Sequence, residues 1–170
     1  MIPTHEFTPL NLAMLTISDT RQSADDRSGQ VLVELAEADG HRIAARSIVT
    51  DDRYAIRAVV SAWIADAGVN AVICTGGTGF SDRDVTPEAV EVLFDRPIPG
   101  FGELFRQISY SNVGTSTLQS RVVAGIANAT LIAALPGSPG ACRDGWQGIL
   151  REQLDASHRP CNLAELALAI

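Results

Sequence analysis

Apolar residues recur along this chain in two alternating rhythms. Residues 11–17 and 69–75 are nearly continuous apolar runs, each ending in a polar or glycine-rich loop, and read as strands buried on both faces. Between them the spacing becomes helical. After a turn at 25–29, Val31, Leu32, Leu35 and Ala36 form an inner face, Glu34 and Glu37 an outer one, and Gly40 supplies the stop. Residues 41–49 make a less apolar strand whose Arg42 and Arg46 suit a sheet edge. Ile56, Val59, Val60, Trp63, Ile64 and Ala67 mark the clearest helix, terminated by Gly68.

The second half continues the alternation. Residues 87–94 and 101–110 predict helices, the latter burying Phe101, Leu104, Phe105 and Ile108, with the proline-rich stretch 96–100 as a break between them. Residues 122–126 and 130–135, joined by a tight Ala-Asn-Ala turn, predict a β-hairpin and hence a mixed, mostly parallel sheet. The segment Leu135-Pro136-Gly137-Ser138-Pro139 leads into a helix carrying Cys142, Trp146, Ile149, Leu150 and Gln153. Strands alternating with helices predict an α/β fold with helices on both faces. No repeat or linker interrupts residues 1–170, which read as one domain with one packed core. Four loops follow strands: Ser18-Asp19, Asp51-Asp52, 76–79 and 136–139. The carboxyl ends of parallel strands form the ligand crevice of an open α/β sheet, so these loops converge if their strands run the same way.

Composition narrows the function. A net charge of −7, with 13 basic residues that are all Arg and form no basic run, argues against a nucleic-acid surface. Helix N-termini and a few Arg still permit a small anionic ligand. Cys74, Cys142 and Cys161 are odd in number and widely spaced, which fits neither a disulfide framework nor a zinc site and suits a reducing cytosol. The N-terminus lacks the basic and apolar regions of a signal peptide, and no apolar run reaches the roughly 18 residues of a membrane span. A cytoplasmic protein with no membrane partner is expected. His5, His41 and His158 have no second ligand nearby and read as surface residues. The apolar tail 163–170 is too short for an anchor and suits a subunit interface.

The chemistry concentrates in residues 75–89. Gly76, Gly77 and Gly79, with Thr78 among them, follow a buried strand. Glycine lets backbone N–H groups approach a phosphate, although a plain strand-to-helix loop has the same composition. Thr86-Pro87-Glu88 predicts a helix start with Thr86 as the cap, leaving Asp82 and Asp84 between turn and helix. Carboxylates beside a phosphate repel it unless a divalent cation lies between, which points to Mg²⁺. Asp51 has two readings, the cap of the following helix or a functional acid. Ser138 has two as well, a cap or part of a second anion site. The hydroxyl-rich stretch 114–121, ending in Arg121, is either a loop into the hairpin or a source of donors to an oxyanion-rich ligand.

At these residues the chain resembles the MoaB/MogA family of molybdenum cofactor biosynthesis proteins. The resemblance runs through Ile17-Ser18-Asp19, Asp26-x-Ser28-Gly29, 75–79, Arg83-Asp84-Val85-Thr86-Pro87-Glu88-Ala89, 99–103 and Leu135-Pro136-Gly137-Ser138. Residues 114–121, 141–143 and 159–162 look like the MoaB branch. The resemblance implies a three-layer α/β/α sandwich with a mostly parallel mixed sheet. It implies a homo-oligomer, a hexamer before a trimer, working with other cofactor-assembly proteins. It also implies binding of molybdopterin and its adenylylation from MgATP to adenylyl-molybdopterin and pyrophosphate, the alternative being a molybdopterin carrier without turnover. By motif, Asp84 and Asp51 match the functional acids, assigned to catalysis and Mg²⁺. Ser18, Asp19, Gly76, Gly77, Thr78, Gly79, Thr86, Pro136, Gly137 and Ser138 match the substrate-binding loops.

Overall fold

The computed structural model describes residues 6–169. The first five residues, which include His5 and part of the N-terminal stretch expected not to be a signal peptide, lie outside them, as does Ile170. Strands β1 (Asn11–Ile17), β2 (Arg42–Val49), β3 (Ala71–Thr75), β4 (Arg96–Pro97), β5 (Val123–Ala127) and β6 (Thr130–Leu135) form a six-stranded sheet in the order β2-β1-β3-β6-β5-β4. The first four in that order are mutually parallel, and the β6–β5 and β5–β4 pairs are antiparallel.

Strand alternation builds the layers. On β1, Leu12 and Met14 enter one core while Ala13, Leu15 and Ile17 enter the other. On β3, Ala71 and Ile73 oppose Val72 and Cys74, and on β6, Leu131, Ala133 and Leu135 oppose Ile132 and Ala134. The first core is closed by Leu32 of α1 (Arg27–Ala38), Phe105 of α4 (Pro99–Val113) and Cys142 of α5 (Pro139–Gly145). The second is closed by Ile56 and Val60 of α2 (Arg53–Ala65) and by Ala89 and Val90 of α3 (Thr86–Val90). This is the expected three-layer α/β/α sandwich. β2 is an edge strand, as its arginines indicated. The hairpin turns through Asn128 and Ala129, both at positive φ (48° and 60°), the conformation whose twist matches a two-residue hairpin.

Several expectations change. The stretch 96–100 is not a plain break: it holds β4 and the first turn of α4. Both prolines sit where a missing N–H is tolerated, Pro97 on the sheet edge and Pro99 at a helix start. Leu104 is 43 % exposed, because α4 turns its Phe101–Phe105–Ser109 face inward instead. α2 ends at Ala65, so Ala67 and Gly68 lie beyond it, and Asp66 leaves in an extended conformation. α3 is short and continues as a 3₁₀ turn over Glu91–Leu93. After α5 the helical path widens into a π segment at Trp146–Leu150 before α6 (Arg151–Gln153).

His41 is buried rather than at the surface, 5 % exposed. Its Nδ1 accepts the Leu10 N–H at 3.2 Å, and its ring lies beside Phe7 and Trp146. The tail forms α7 (Ala164–Leu168), which buries Ala164 and Ala167 while Leu166 and Leu168 stay exposed. Among the described residues no helix is long and apolar enough to cross a membrane.

Candidate functional site

Because β2, β1, β3 and β6 run parallel, the loops after them share one edge of the sheet, the 136–139 loop included. Hydrogen bonds stitch them together. Ser18 N–H donates to Val49 O (2.9 Å), Asp51 N–H to Asp19 Oδ1 (3.0 Å), Gly76 N–H to Leu135 O (3.0 Å) and Thr75 Oγ1 to Pro136 O (2.9 Å).

The glycine turn is built by exclusion of side chains. Gly76 has φ +106°, and a Cβ there would strike the Ile17 carbonyl. Gly77 has φ +65°, and its missing Cβ leaves room for the Thr86 hydroxyl and for Asp51 Oδ1, which lies 3.0 Å from where that Cβ would be. At Gly79 a Cβ would stand 2.8 Å from Asp84 Oδ2, and at Gly137 one would stand 3.2 Å from Gly76 Cα. The turn therefore touches both acids and the 136–138 loop. Gly76 N–H is spent on β6, and Gly79 N–H faces the Asp84 carboxylate. Among the described residues the N–H groups of Gly77 and Thr78 donate to no protein acceptor.

Thr86 does not cap α3, contrary to expectation. Val85 holds the cap position without a side-chain bond, while Thr86, fully buried, turns back to donate from Oγ1 to Gly76 O at 2.8 Å. Its N–H also donates to Gly77 O at 3.0 Å. The closeness of α3 to the turn lets a buried hydroxyl satisfy a buried carbonyl, which outweighs capping. The cap of α2 is Asp52, whose Oδ1 accepts from Tyr54 and Ala55 N–H at 2.9 and 2.8 Å. Asp51 is thereby released from the structural role that its position allowed.

The two acids differ electrostatically. Asp51 has a pKa above the ordinary aspartate value, first because it is partly buried and then because the Asp19 carboxylate is near, with Asp84 adding to the effect; the Asp19 backbone N–H and Arg83 oppose it. Burial also pushes Asp84 up, but the Ser81 hydroxyl and the Ser81 and Gly79 N–H groups outweigh it, and its pKa lies below the ordinary value. Ser81 N–H and Oγ reach Asp84 Oδ2 at 2.9 and 2.6 Å. Asp19 is also held low, chiefly by Arg83, which reaches both its oxygens at 2.9 and 2.8 Å. Burial pushes the Cys74 thiol up to about 12 and the Cys142 thiol up to about 11, which keeps both protonated near neutrality.

The remaining assigned residues act locally. Ser18 Oγ accepts from Thr20 and Arg21 N–H, and Arg21 Nη2 donates to Gly137 O at 2.9 Å. Ser138 is the cap of α5, its Oγ accepting from Ala141 N–H at 3.2 Å. Two pockets lie on either side of β3: one of about 630 Å³ lined by Ser18, Arg21, Arg46 and Thr50, the other of about 380 Å³ lined by Ser109, Asn112, Ser116, Ser120 and Ser138. The second draws two hydroxyls from the 114–121 stretch. Arg121 does not join it; its guanidinium bonds the acidic loop, a role that only its position at the end of that stretch hinted at.

Carboxylates that repel one another across a side-chain-free turn are a fit for a divalent cation. Among the described residues no group of three or more His, Cys, Asp or Glu side chains could hold a metal unaided. Mg²⁺ commonly uses one or two carboxylates and completes its shell with phosphate oxygens and water, which Asp51 and Asp84 match.

Comparison with known proteins agrees with this architecture. Residues 13–156 match the family described as "Probable molybdopterin binding domain". Molybdenum cofactor biosynthesis protein B of Escherichia coli is 54 % identical over 157 residues, covering 92 % of each chain. A crystal structure of a molybdenum cofactor biosynthesis protein B superposes with a TM-score of 0.86 at 37 % identity, over 95 % of this chain and 96 % of that one. The tungsten cofactor synthesizing protein MoaB from Pyrococcus furiosus superposes with a TM-score of 0.70 at 31 % identity, over 82 % and 89 %. The family match, the sequence identity and the superposition together place this chain in the MoaB/MogA family of molybdenum cofactor biosynthesis proteins, which carries a probable molybdopterin binding domain.

Proposed function

We propose that the chain, as one domain, binds molybdopterin and adenylylates it with MgATP. The observation that carries this reading is the glycine turn, with Asp51 set against Gly77 and Asp84 against Gly79, and the open N–H groups of Gly77 and Thr78 between them. Backbone donors of this kind bind phosphate oxygens without adding bulk. The pockets beside the loops after β1 and β2 and beside the loop after β6 suit a reaction of two ligands, with the hydroxyl-lined one for the pterin and the arginine-lined one for the nucleotide.

In the proposed reaction an oxygen of the molybdopterin phosphate attacks the α-phosphorus of ATP. A new P–O bond forms there, the α–β phosphoanhydride bond breaks, and pyrophosphate leaves with the electron pair. A phosphate monoester is mostly ionised near neutrality, so no strong general base is needed. The requirement is to hold two polyanions in line. Asp84 and Asp51 would hold Mg²⁺, whose contribution when bound is to neutralise charge between the phosphates. Asp84, kept ionised by Ser81, orients that side of the site. Gly77 and Thr78 N–H groups receive phosphate oxygens, and Thr86 keeps the turn in the shape that aims them.

We assign contacts between copies in a homo-oligomer to the exposed apolar side chains Leu104, Tyr110, Val113 and Leu118 on and after α4. The test of function is purified protein with molybdopterin and MgATP, scored for adenylyl-molybdopterin and pyrophosphate, beside Asp84→Asn. Product from the wild type and at least a hundredfold less from the variant is expected. Molybdopterin uptake with no ATP-dependent pyrophosphate release from the wild type would instead make the protein a carrier.

A further inference from the structure

Residues 79–88, which carry Asp84, span from the glycine turn into the short α3, where Arg57 Nη2 of α2 donates to the Glu88 carbonyl at 2.9 Å. One side chain reaches across the whole segment. Arg121, from the loop before β5, donates from Nε to Gly79 O at 2.7 Å, from Nη2 to Asp84 O at 2.7 Å and from Nη1 to the Glu88 carboxylate. Its own N–H donates to Thr78 O at 3.0 Å, and its guanidinium carbon lies 5.3 Å from the centre of the Phe80 ring. Its contacts thus fall on the start, middle and end of one loop.

We propose that Arg121 is the positioning residue of the acidic loop, setting the Asp84 backbone at a fixed offset from the glycine turn so that its carboxylate meets the ligand. This rests on the adenylylation reading, and it replaces the idea that Arg121 donates to the ligand itself. Charge alone does not explain the arrangement. Among the described residues Glu88 is the only acid that the guanidinium touches, and the other two acceptors are carbonyls pointing from different parts of the loop. A rigid planar fork matches three acceptors at once, whereas the compact ammonium of lysine is a point charge on a flexible stem. The chain uses arginine for every one of its 13 basic residues, so composition shows no preference at this position. The geometry does.

The fork also explains how Asp84 stays ordered at a half-exposed site. Ser81 fixes the carboxylate from within the loop, and Arg83 ties the loop to Asp19 after β1 through an ion pair that is exposed to solvent. Arg121 bonds the Asp84 carbonyl from a separate element that leads directly into β5, so the loop is referenced to the sheet.

The test compares wild type with Arg121→Lys, with Glu88→Gln as a milder variant that removes charge at one tip and leaves both carbonyl bonds. Three quantities are measured: amide hydrogen exchange of residues 79–88, binding of Mn²⁺–ATP by electron paramagnetic resonance, and adenylyl-molybdopterin kinetics. In Arg121→Lys, exchange across 79–88 should rise at least tenfold with β1 and β3 unchanged, Mn²⁺–ATP should bind at least fivefold more weakly, and kcat should fall at least tenfold with KM for molybdopterin within twofold. Glu88→Gln should fall between. Unchanged exchange, or rescue of all three quantities by lysine, overturns the proposal. Faster exchange with unaltered Mn²⁺–ATP binding overturns it too, since Arg121 would then be a structural tie only. If the wild type binds Mn²⁺–ATP but makes no product, the adenylylation reading fails, while weaker Mn²⁺–ATP binding by Arg121→Lys still supports the positioning role.

Discussion

Thr86→Val pits two physical effects of opposite sign against each other at one buried position. Valine has nearly the shape of threonine, so little repacking is needed, but it trades a hydroxyl for a methyl. Counted as apolar burial alone, the added methyl stabilises by about 0.8 kcal/mol. Against this, the Gly76 carbonyl loses the 2.8 Å bond that Thr86 makes to it, in a turn that is buried. Leaving a buried acceptor unpaired costs about 1–3 kcal/mol. The balance is a net loss of about 0.2–2 kcal/mol, which in a chain of this size lowers Tm by up to about 8 °C. Thr86→Ser keeps the hydroxyl and drops the methyl, so it loses about 1 kcal/mol through packing while the turn keeps its partner.

Stability does not separate the two variants; ligand binding does. Because Thr86 holds Gly76 and Gly77 by two bonds, the serine variant should bind molybdopterin within about twofold of wild type and the valine variant about tenfold more weakly, the tenfold being about 1.4 kcal/mol of turn distortion. Calorimetric melting and equilibrium titration supply both numbers. A valine variant with Tm at or above wild type, or with undiminished affinity, would refute the claim that this hydroxyl shapes the turn.

Other outcomes follow from the same geometry. Gly76→Ala should cost about 1–3 kcal/mol from its φ of +106° alone, and more from the clash with the Ile17 carbonyl, seen as a lowered urea midpoint. Asp52→Ala should lose the α2 cap and about 1 kcal/mol, whereas Asp51→Asn should leave Tm unchanged or raise it by removing like-charge repulsion, while abolishing product formation. His41 introduces acid sensitivity. Burial lowers its pKa below 6.5, so between that folded value and 6.5 the unfolded chain binds more protons than the folded one, and stability rises with pH in that window. Stability is therefore complete above about pH 6.5 and falls as pH drops toward the folded pKa, since protonating Nδ1 also breaks the Leu10 bond. Melting scans of His41→Phe should lack this slope above pH 5; an identical slope in both proteins counts against it.

The local periodicities of the chain were sufficient to specify the layered fold. A strand buried on both faces is apolar on both, and β1, β3 and β6 are nearly continuously so, with only Asn11 and the buried Thr16, Thr75 and Thr130 as polar positions; a helix on a sheet needs one apolar stripe, and α1 and α2 have it. The glycine turn and its following acids were visible for a similar reason, since backbone at φ of +106° and +65° strongly favours glycine. What periodicity misses is any choice settled by a partner distant in sequence. Asp51 reads either as a cap or as a functional acid until the path of the chain into α2 gives the cap to Asp52. Thr86 looks like a cap until the fold brings the Gly76 carbonyl to it, and His41 looks exposed until Phe7 and Trp146 close over it. Arg121 lies more than thirty residues from the loop it holds. Backbone conformation and side-chain burial follow from short-range sterics and solvation, which a sequence displays directly. Hydrogen-bond partnership depends on distances of a few ångströms between remote segments, and only the packed tertiary structure sets those.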